Sequence, residues 1–185
     1  MVGRLAERIS EIASKHSPSP VILEFISRTK EGKLTRNENV QSHFCVFFAA
    51  YDPETKKVFI GHHKKSDLWL FNGGHIDKGE TPEETLEREI GEEWGLKVDL
   101  QSIGEPKLLT ISSINQPGNK CNQHYDIWYF VPVSEASFNP DKALLDTEFY
   151  VIGWKDIKEA RVLTTDPTTL KGISKIESLF KKSRK

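Results

Sequence analysis

The chain has 185 residues, 37% of them hydrophobic and 29% charged, with a formal net charge of −1. This balance excludes a disordered chain, and a near-zero charge gives no global steering toward nucleic acid or anionic lipid. The length suits one sizeable domain plus a short extension. No apolar run approaches membrane-spanning length. The mixed charged and apolar start, MVGRLAERISEIASKHS, is unlike the unbroken apolar centre of a signal peptide, so a cytoplasmic location is expected by default. Cys45 and Cys121 make neither a disulfide framework nor a zinc-type spacing, and both read as small core residues.

In chain order, Leu5, Ile9 and Ile12 recur at helical spacing and predict an amphipathic helix over residues 2–16. SPSP breaks it, and VILEFISRT predicts a second helix with Phe25 and Ile26 on one face. The polar run KEGKLTRNENVQ reads as a connector, which divides the chain into a helical extension, 1–39, and a main domain, 40–185. HFCVFFAAY predicts a buried strand, DPETKK a turn and VFIGHH the returning strand. After a central helix, KVDLQSIGEPKLLTISSI predicts one or two strands, NQPGNKCN a loop and HYDIWYFVPV a late strand. SEASFNPDKALLDTE shows no firm period and reads as a long loop. FYVIGW predicts a strand and KDIKEA a short helical turn. Asp166-Pro167 opens a last helix carrying Leu170, Ile173, Ile176 and Phe180 on one stripe. The KKSRK tail reads as a solvated basic helix end. Strands interrupted irregularly by helices indicate the α+β class.

The central helix carries the chemistry. Thr81-Pro82-Glu83-Glu84 predicts a capped start with a capping box, and Gly95 predicts the stop. Leu86, Ile90 and Trp94, four apart, form the buried stripe. At 100° per residue, Glu89, Glu92 and Glu93 share an adjacent face, and Arg88 lies beside it. Like charges at these spacings repel, more so where solvent is partly excluded. A glycine pair, Gly73-Gly74, precedes the helix and offers φ > 0 and close carbonyl approach. Carboxylates plus a carbonyl form an all-oxygen donor set, suited to Mg²⁺ or Mn²⁺ rather than zinc. The competing interpretation is an acidic surface helix with no ligand.

The stretch GHIDKGETPEETLEREIGEEWGL, Gly74 to Leu96, resembles the signature of the Nudix hydrolase family. It supplies Gly74, Glu80, Arg88, Glu89, Ile90, Glu92, Glu93, Gly95 and Leu96 at every specified position. Seven of these demand one residue type, so a chance match is on the order of 10⁻⁸ per window at about 7% usage per type. The resemblance implies the Nudix fold, a mixed β-sheet sandwiched between helices. It also implies metal-dependent hydrolysis of a diphosphate linkage in a nucleoside triphosphate or another nucleoside diphosphate derivative, by water attack at phosphorus. Glu89, Glu92 and Glu93 match the metal ligands and the Gly73 carbonyl a further ligand. Glu80 matches an outer contributor and Arg88 the residue that orients the carboxylates. The implied cofactor is Mg²⁺, with Mn²⁺ as a substitute. Many members carry proline before the glycine pair. Here Asn72 stands there, which puts the stiffness of the loop in question.

Outside this stretch, His62, His63, Lys64 and Lys65 close the returning strand and are candidates for phosphate contacts, against a plain polar strand end. On the late strand, His124, Tyr125, Asp126, Trp128 and Tyr129 offer stacking on a base or ordinary core packing. Glu135 and Glu148 are candidates for a distal base or metal ligand. His75 reads as a loop residue. The expected partner is a small molecule containing a nucleoside diphosphate, with no nucleic acid and no membrane; a homodimer stays open. Two other readings compete: a ligand sensor or interaction module on the same fold, and an isopentenyl-diphosphate isomerase. The latter needs a catalytic cysteine near the glycine loop, and SDLWLFNGGHID has none.

Overall fold

A computed structural model describes residues 3–114 and 120–182. Part of the loop expected at NQPGNKCN, and the end of the basic tail, lie outside the described residues. The chain opens with two helices, α1 (Arg4–Ser14) and α2 (Pro20–Glu31). Ser19 caps α2 by accepting the Ile22 N–H, and Gly32, at φ +69°, ends it. Both helices put apolar faces into the core: Ala6, Ile9, Ile12 and Ala13 from α1, and Ile22 and Phe25 from α2.

The strands are β1 (Ser42–Asp52), β2 (Lys57–His63), β3 (Leu68–Leu70), β4 (Asn72–His75), β5 (Leu108–Ser113), β6 (Gln123–Pro132) and β7 (Phe149–Asp156). They form one mixed sheet centred on β1. One edge of β1 runs parallel to β6 from Ser42↔Gln123 to Tyr51↔Pro132, and β5 pairs antiparallel beyond β6. The other edge of β1 is shared. β4 pairs with it at residues 45–48, whereas β2 meets it only at Tyr51↔Val58 and Asp52↔Lys57. β2 then carries β3 and β7 on its two edges. A strand whose one edge serves two partners splits the sheet, and a cleft opens between the arms.

Alternation along the strands divides the interior into two layers. Phe44, Val46, Phe48 and Ala50 of β1, with Tyr125, Ile127, Tyr129 and Val131 of β6, face α1, α2 and the central helix α3 (Pro82–Trp94). Ala49 and Tyr51, with Trp128 and Phe130, face α6 (Ile157–Leu163) and α7 (Pro167–Lys182). This is the α+β arrangement, a mixed sheet between helices, that the resemblance implied. The structure departs from the sequence expectations in three places. Leu100–Ile103 forms a short helix, α4, where none was expected, ahead of a single strand, β5, which is within the one or two expected of that segment. Lys142–Glu148 forms α5 inside the expected long loop. Asp141 caps it through the Ala143 N–H, and one buried apolar side chain, Leu145, is too little to register as a period. β3 and β4 are three and four residues long, below what alternation reveals. Among the described residues, no helix is long and apolar enough to cross a membrane.

Candidate active site

Helix α3 starts with the full capping box: the Thr81 hydroxyl accepts the Glu84 N–H, and Glu84 accepts the Thr81 N–H at 2.8 Å. It ends at Gly95, in the left-handed region at φ +65°. Leu86, Ile90 and Trp94 anchor it in the core. The acidic face therefore lies over β4, whose backbone supplies the floor.

The glycine pair is needed for space. Neither Gly73 nor Gly74 has positive φ, so the conformational part of the sequence argument does not apply. A Cβ on Gly74 would sit 1.8 Å from Glu89 Oε1, and one on Gly73 would sit 2.5 Å from the Val46 carbonyl oxygen. The Glu89 carboxylate occupies the volume a side chain at Gly74 would fill.

Arg88 ties the carboxylates together. Its Nε donates to Glu80 Oε1 at 2.8 Å and its Nη2 to Glu80 Oε2 at 3.1 Å, a bidentate pair. Its Nη1 donates to Glu89 Oε1 at 2.8 Å and to Glu92 Oε2 at 3.1 Å, and Nη2 also donates to the His75 carbonyl at 3.0 Å. These bonds, first those to Glu80, hold the guanidinium charged and pull the Glu80 carboxyl below its ordinary range. Glu93 lies beyond this clamp. The Asn72 side-chain amide donates to Glu93 Oε2, and the Gly73 backbone bonds the same carboxylate. Burial pushes the Glu93 carboxyl up to about 8, with Glu89 and Glu148 adding to the rise. Burial also raises Glu89. The set is thus short of positive charge: one arginine serves four carboxylates, Asp77 the most distant at 3.9 Å, and Glu93 has only neutral donors. A divalent cation held by oxygen is what such a donor set lacks. Glu89, Glu92, Glu93 and the Gly73 carbonyl fit that role, and Glu80 stands behind them through Arg88.

Glu93 and Gly73 border a cleft of about 600 Å³ between the arms of the sheet. Of the sequence candidates, His63, Lys65, His124 and Glu148 also line it. His63 Nε2 lies 3.3 Å and Lys65 Nζ 3.4 Å from Glu148 Oε2, while His63 Nδ1 accepts the Ser66 N–H. Burial lowers the His63 imidazole. Other candidates sit elsewhere. Lys64 reaches the Asp146 carbonyl outside the cleft. His62 stacks on Trp69, with ring centroids 5.8 Å apart. Tyr125 points to the opposite face of the sheet, among Phe25 and Phe44, with its hydroxyl donating to Glu24; a one-residue step from His124 reverses the face. Tyr129 shares that layer and donates to Glu83 at 3.0 Å. Glu135 pairs with Lys57 at 2.8 Å, near the β1–β2 turn. Asp126 and Trp128 lie fully buried: Trp128 Nε1 and Asp126 Oδ2 both bond the Thr110 hydroxyl.

Several cleft residues escaped sequence reading. Phe47 and Phe71 bring aromatic faces, Phe47 stacking on Trp128 at 4.6 Å, and Arg36 adds a cation. Phe47 was concealed in an unbroken apolar strand, where only the strand's pairing reveals which residues face the cleft. His75 is not a loop residue. It ends β4 and packs against His43 and His124, with ring centroids 4.8 to 5.2 Å apart. Burial lowers the His75 imidazole to about 3 and the His124 imidazole to about 4. A larger cavity, about 780 Å³, lies beside α1 and the end of α2. It shares only Glu80 with the carboxylate set.

Comparison with known proteins agrees with this fold. The family model described as NUDIX domain matches residues 41–174. Among solved structures, the fold is similar to the dihydroneopterin triphosphate pyrophosphohydrolase of E. coli, with a TM-score of 0.57 at 18% identity over 71% of this chain and 92% of that one. A NUDIX family hydrolase from Clostridium perfringens superposes with a TM-score of 0.55 at 24% identity, covering 74% of this chain and 97% of that one. MutT, from a study of Aliivibrio salmonicida and Vibrio cholerae, gives 0.51 at 15% identity over 75% and 99% of the two chains.

Proposed function

Because the chain belongs to the NUDIX family and is a Nudix-type hydrolase, we propose that it hydrolyses a diphosphate linkage in a nucleoside diphosphate derivative with Mg²⁺ as cofactor. The observation that carries this reading is the carboxylate face. Arg88 bonds both Glu89 and Glu92, Glu89 backs directly on Gly74, and Glu93 borders the open cleft with Gly73, so one arginine leaves this face undercompensated. When bound, Mg²⁺ or Mn²⁺ would be held by these groups, and the chemistry it supplies is neutralisation of the diphosphate and polarisation of its phosphoryl oxygens.

The chain's own residues do the rest. Arg88 fixes the rotamers of Glu80, Glu89 and Glu92, so the acidic face is ordered before substrate arrives. Asn72 aims Glu93 into the cleft. Lys65 and His63 stand where the far side of the diphosphate would lie. Phe47 offers flat apolar surface for a base. Of the two distal glutamates, Glu148 shares the cleft with Glu93. We assign its Oε2 as the acceptor of the water proton, with His63 Nε2–H positioning that oxygen from 3.3 Å.

The test is incubation with Mg²⁺ and a panel of nucleoside triphosphates and nucleoside diphosphate derivatives, with products separated by chromatography. The panel includes dihydroneopterin triphosphate, the substrate of the E. coli neighbour. Release of a nucleoside monophosphate, or of pyrophosphate from a triphosphate, supports the proposal. Binding without turnover across the panel would favour a sensor instead.

A further inference from the structure

Three imidazoles and a thiol meet beside the cleft, on strands that are separate in sequence. His43 and Cys45 are two apart on β1 and so share a face. His124 of β6 is the register partner of His43, and His75 of β4 is the register partner of Cys45. Each side chain offers one ligand atom, and the four atoms lie within 4.8 Å of one another. Their positions, 43, 45, 75 and 124, have no metal-site spacing, because the sheet pairing rather than a local loop assembles them.

We propose that His43, Cys45, His75 and His124 form a transition-metal site, with zinc as the fitting ion, distinct from the carboxylate site on α3. Three nitrogens and one thiolate are a borderline-soft, four-coordinate donor set, the type zinc takes, whereas Mg²⁺ requires oxygen. A tetrahedral site has ligand atoms roughly 3.3–3.6 Å apart, from bond lengths near 2.0 Å to nitrogen and 2.3 Å to sulfur. Contraction from 4.8 Å is within the reach of small side-chain rotations.

Two details favour a ligand over a merely packed cluster. His43 Nδ1 lies 2.9 Å from the Asn39 carbonyl. Only a protonated nitrogen bonds a carbonyl, so Nε2 carries the lone pair, with the Cys121 thiol 3.8 Å away as its weak partner, and this is how ligating imidazoles are oriented. His124 Nε2 is buried and, among the described residues, has no hydrogen-bond partner. A buried lone pair or N–H without a partner is costly, and coordination would satisfy it. An ion also has a way in, since His75 and His124 line the cleft. Arg36 lines it too and opposes a cation. The Cys45 thiolate offsets that charge once its proton has passed to solvent. All four positions are filled by protein, so the site is structural: it would pin β4 to β1 and β6 two residues after Gly73, and so steady the floor of the carboxylate site.

The decisive measurement is a cobalt titration of the full-length protein after metal removal. The expected result is intense tetrahedral visible bands and an ultraviolet thiolate-to-cobalt charge-transfer band that saturate at one equivalent, whatever further cobalt the carboxylate site takes up. Cobalt on the carboxylate site would give neither, so failure of the hydrolase reading would leave this result untouched. Cys45→Ser should abolish the charge-transfer band, and Cys121→Ser should retain it, although Cys121 Sγ lies 3.8 Å from His43 Nε2. His124→Asn, on the cleft wall, should weaken cobalt binding more than about 100-fold, beyond the loss of an outer partner. It serves in place of Cys45→Ser if that variant fails to fold. A wild-type titration without tetrahedral or thiolate bands would show a packed aromatic cluster only and overturn the proposal. So would a thiolate band that survives Cys45→Ser, or cobalt affinity unchanged by His124→Asn.

Discussion

The side-chain amide of Asn72 donates to Oε2 of Glu93, across the junction between β4 and α3. Asn72 is the residue at which the sequence departs from the proline common in the family. The bond gives it work there: it holds a crowded carboxylate toward the cleft and resists the rise that burial imposes. Asn72→Ala removes the donor and keeps the strand backbone. Its Glu93 should take a proton more readily and lose its orientation, so more Mg²⁺ should be needed for half-maximal turnover. A rise of roughly 10-fold is expected, the size of losing an outer partner to a ligand. An unchanged Mg²⁺ dependence would remove Asn72 from the site.

Glu93 itself is tested against a neighbour on the same helix. Glu93→Gln keeps the hydrogen-bonding reach toward Asn72 and removes the charge. Turnover should fall by at least about 10²-fold, with substrate binding less affected, because charge on the phosphoryl group counts most in the transition state. Glu87 is exposed and points about 160° away from Glu89 around the helix axis. Glu87→Gln should be near neutral. Equal activity of the two variants on a confirmed substrate would reduce the acidic face to solvated surface.

The contrast between these two glutamates was legible in sequence, because caps and a four-residue apolar repeat fix a helix and its faces locally. Thr81, Gly95, Leu86, Ile90 and Trp94 all behave as their spacing requires. The cleft wall was not legible. Whether a residue such as Phe47 or His124 meets the cleft depends on which strand pairs with β1 on each edge, and that pairing joins residues about 80 apart in the chain. Glu135 and Glu148 looked alike in sequence. Only the pairing of β7 with β2 brings Glu148 beside His63 and leaves Glu135 at the β1–β2 turn.

The N-terminal extension supports a stability prediction. Arg8 of α1 donates to Glu83 Oε1 through Nε at 2.9 Å and Nη2 at 2.7 Å, and to Glu105 at 2.9 Å; Tyr129 donates to the same Glu83 oxygen. Arg8→Met keeps the aliphatic stem but leaves Glu83 and Glu105 without the guanidinium. Stability in a urea titration should drop by about 1–3 kcal/mol. Turnover should stay within about twofold, since none of these groups reaches the cleft. We expect the extension to supply no metal ligand. A chain starting near residue 17 that folds but binds no Mg²⁺ would contradict this.

The last prediction concerns pH. Burial raises Asp126 to about 7 and Glu93 to about 8; Ser112 and Thr110 hold Asp126 down, while Asp166 pushes it up. Both carboxyls are ionised in the unfolded chain above about pH 5. Near pH 7 the folded chain therefore binds more protons than the unfolded one, and stability must fall as pH rises through 7 and 8. His43, His63, His75 and His124 act in the opposite sense. Burial lowers all four, so below about pH 6.5 the unfolded chain takes up protons that the fold refuses. Stability then falls as pH falls. In chelator, the melting temperature should peak at about pH 6.5–7 and decline toward pH 8.5. Asp126→Asn should remove its share of the alkaline decline. Mg²⁺, by stabilising ionised Glu93, should remove the other share in wild type. A melting temperature flat from pH 7 to 8.5 in chelator, or an alkaline decline that Asp126→Asn leaves unchanged, would show that these carboxyls do not hold their protons in the fold.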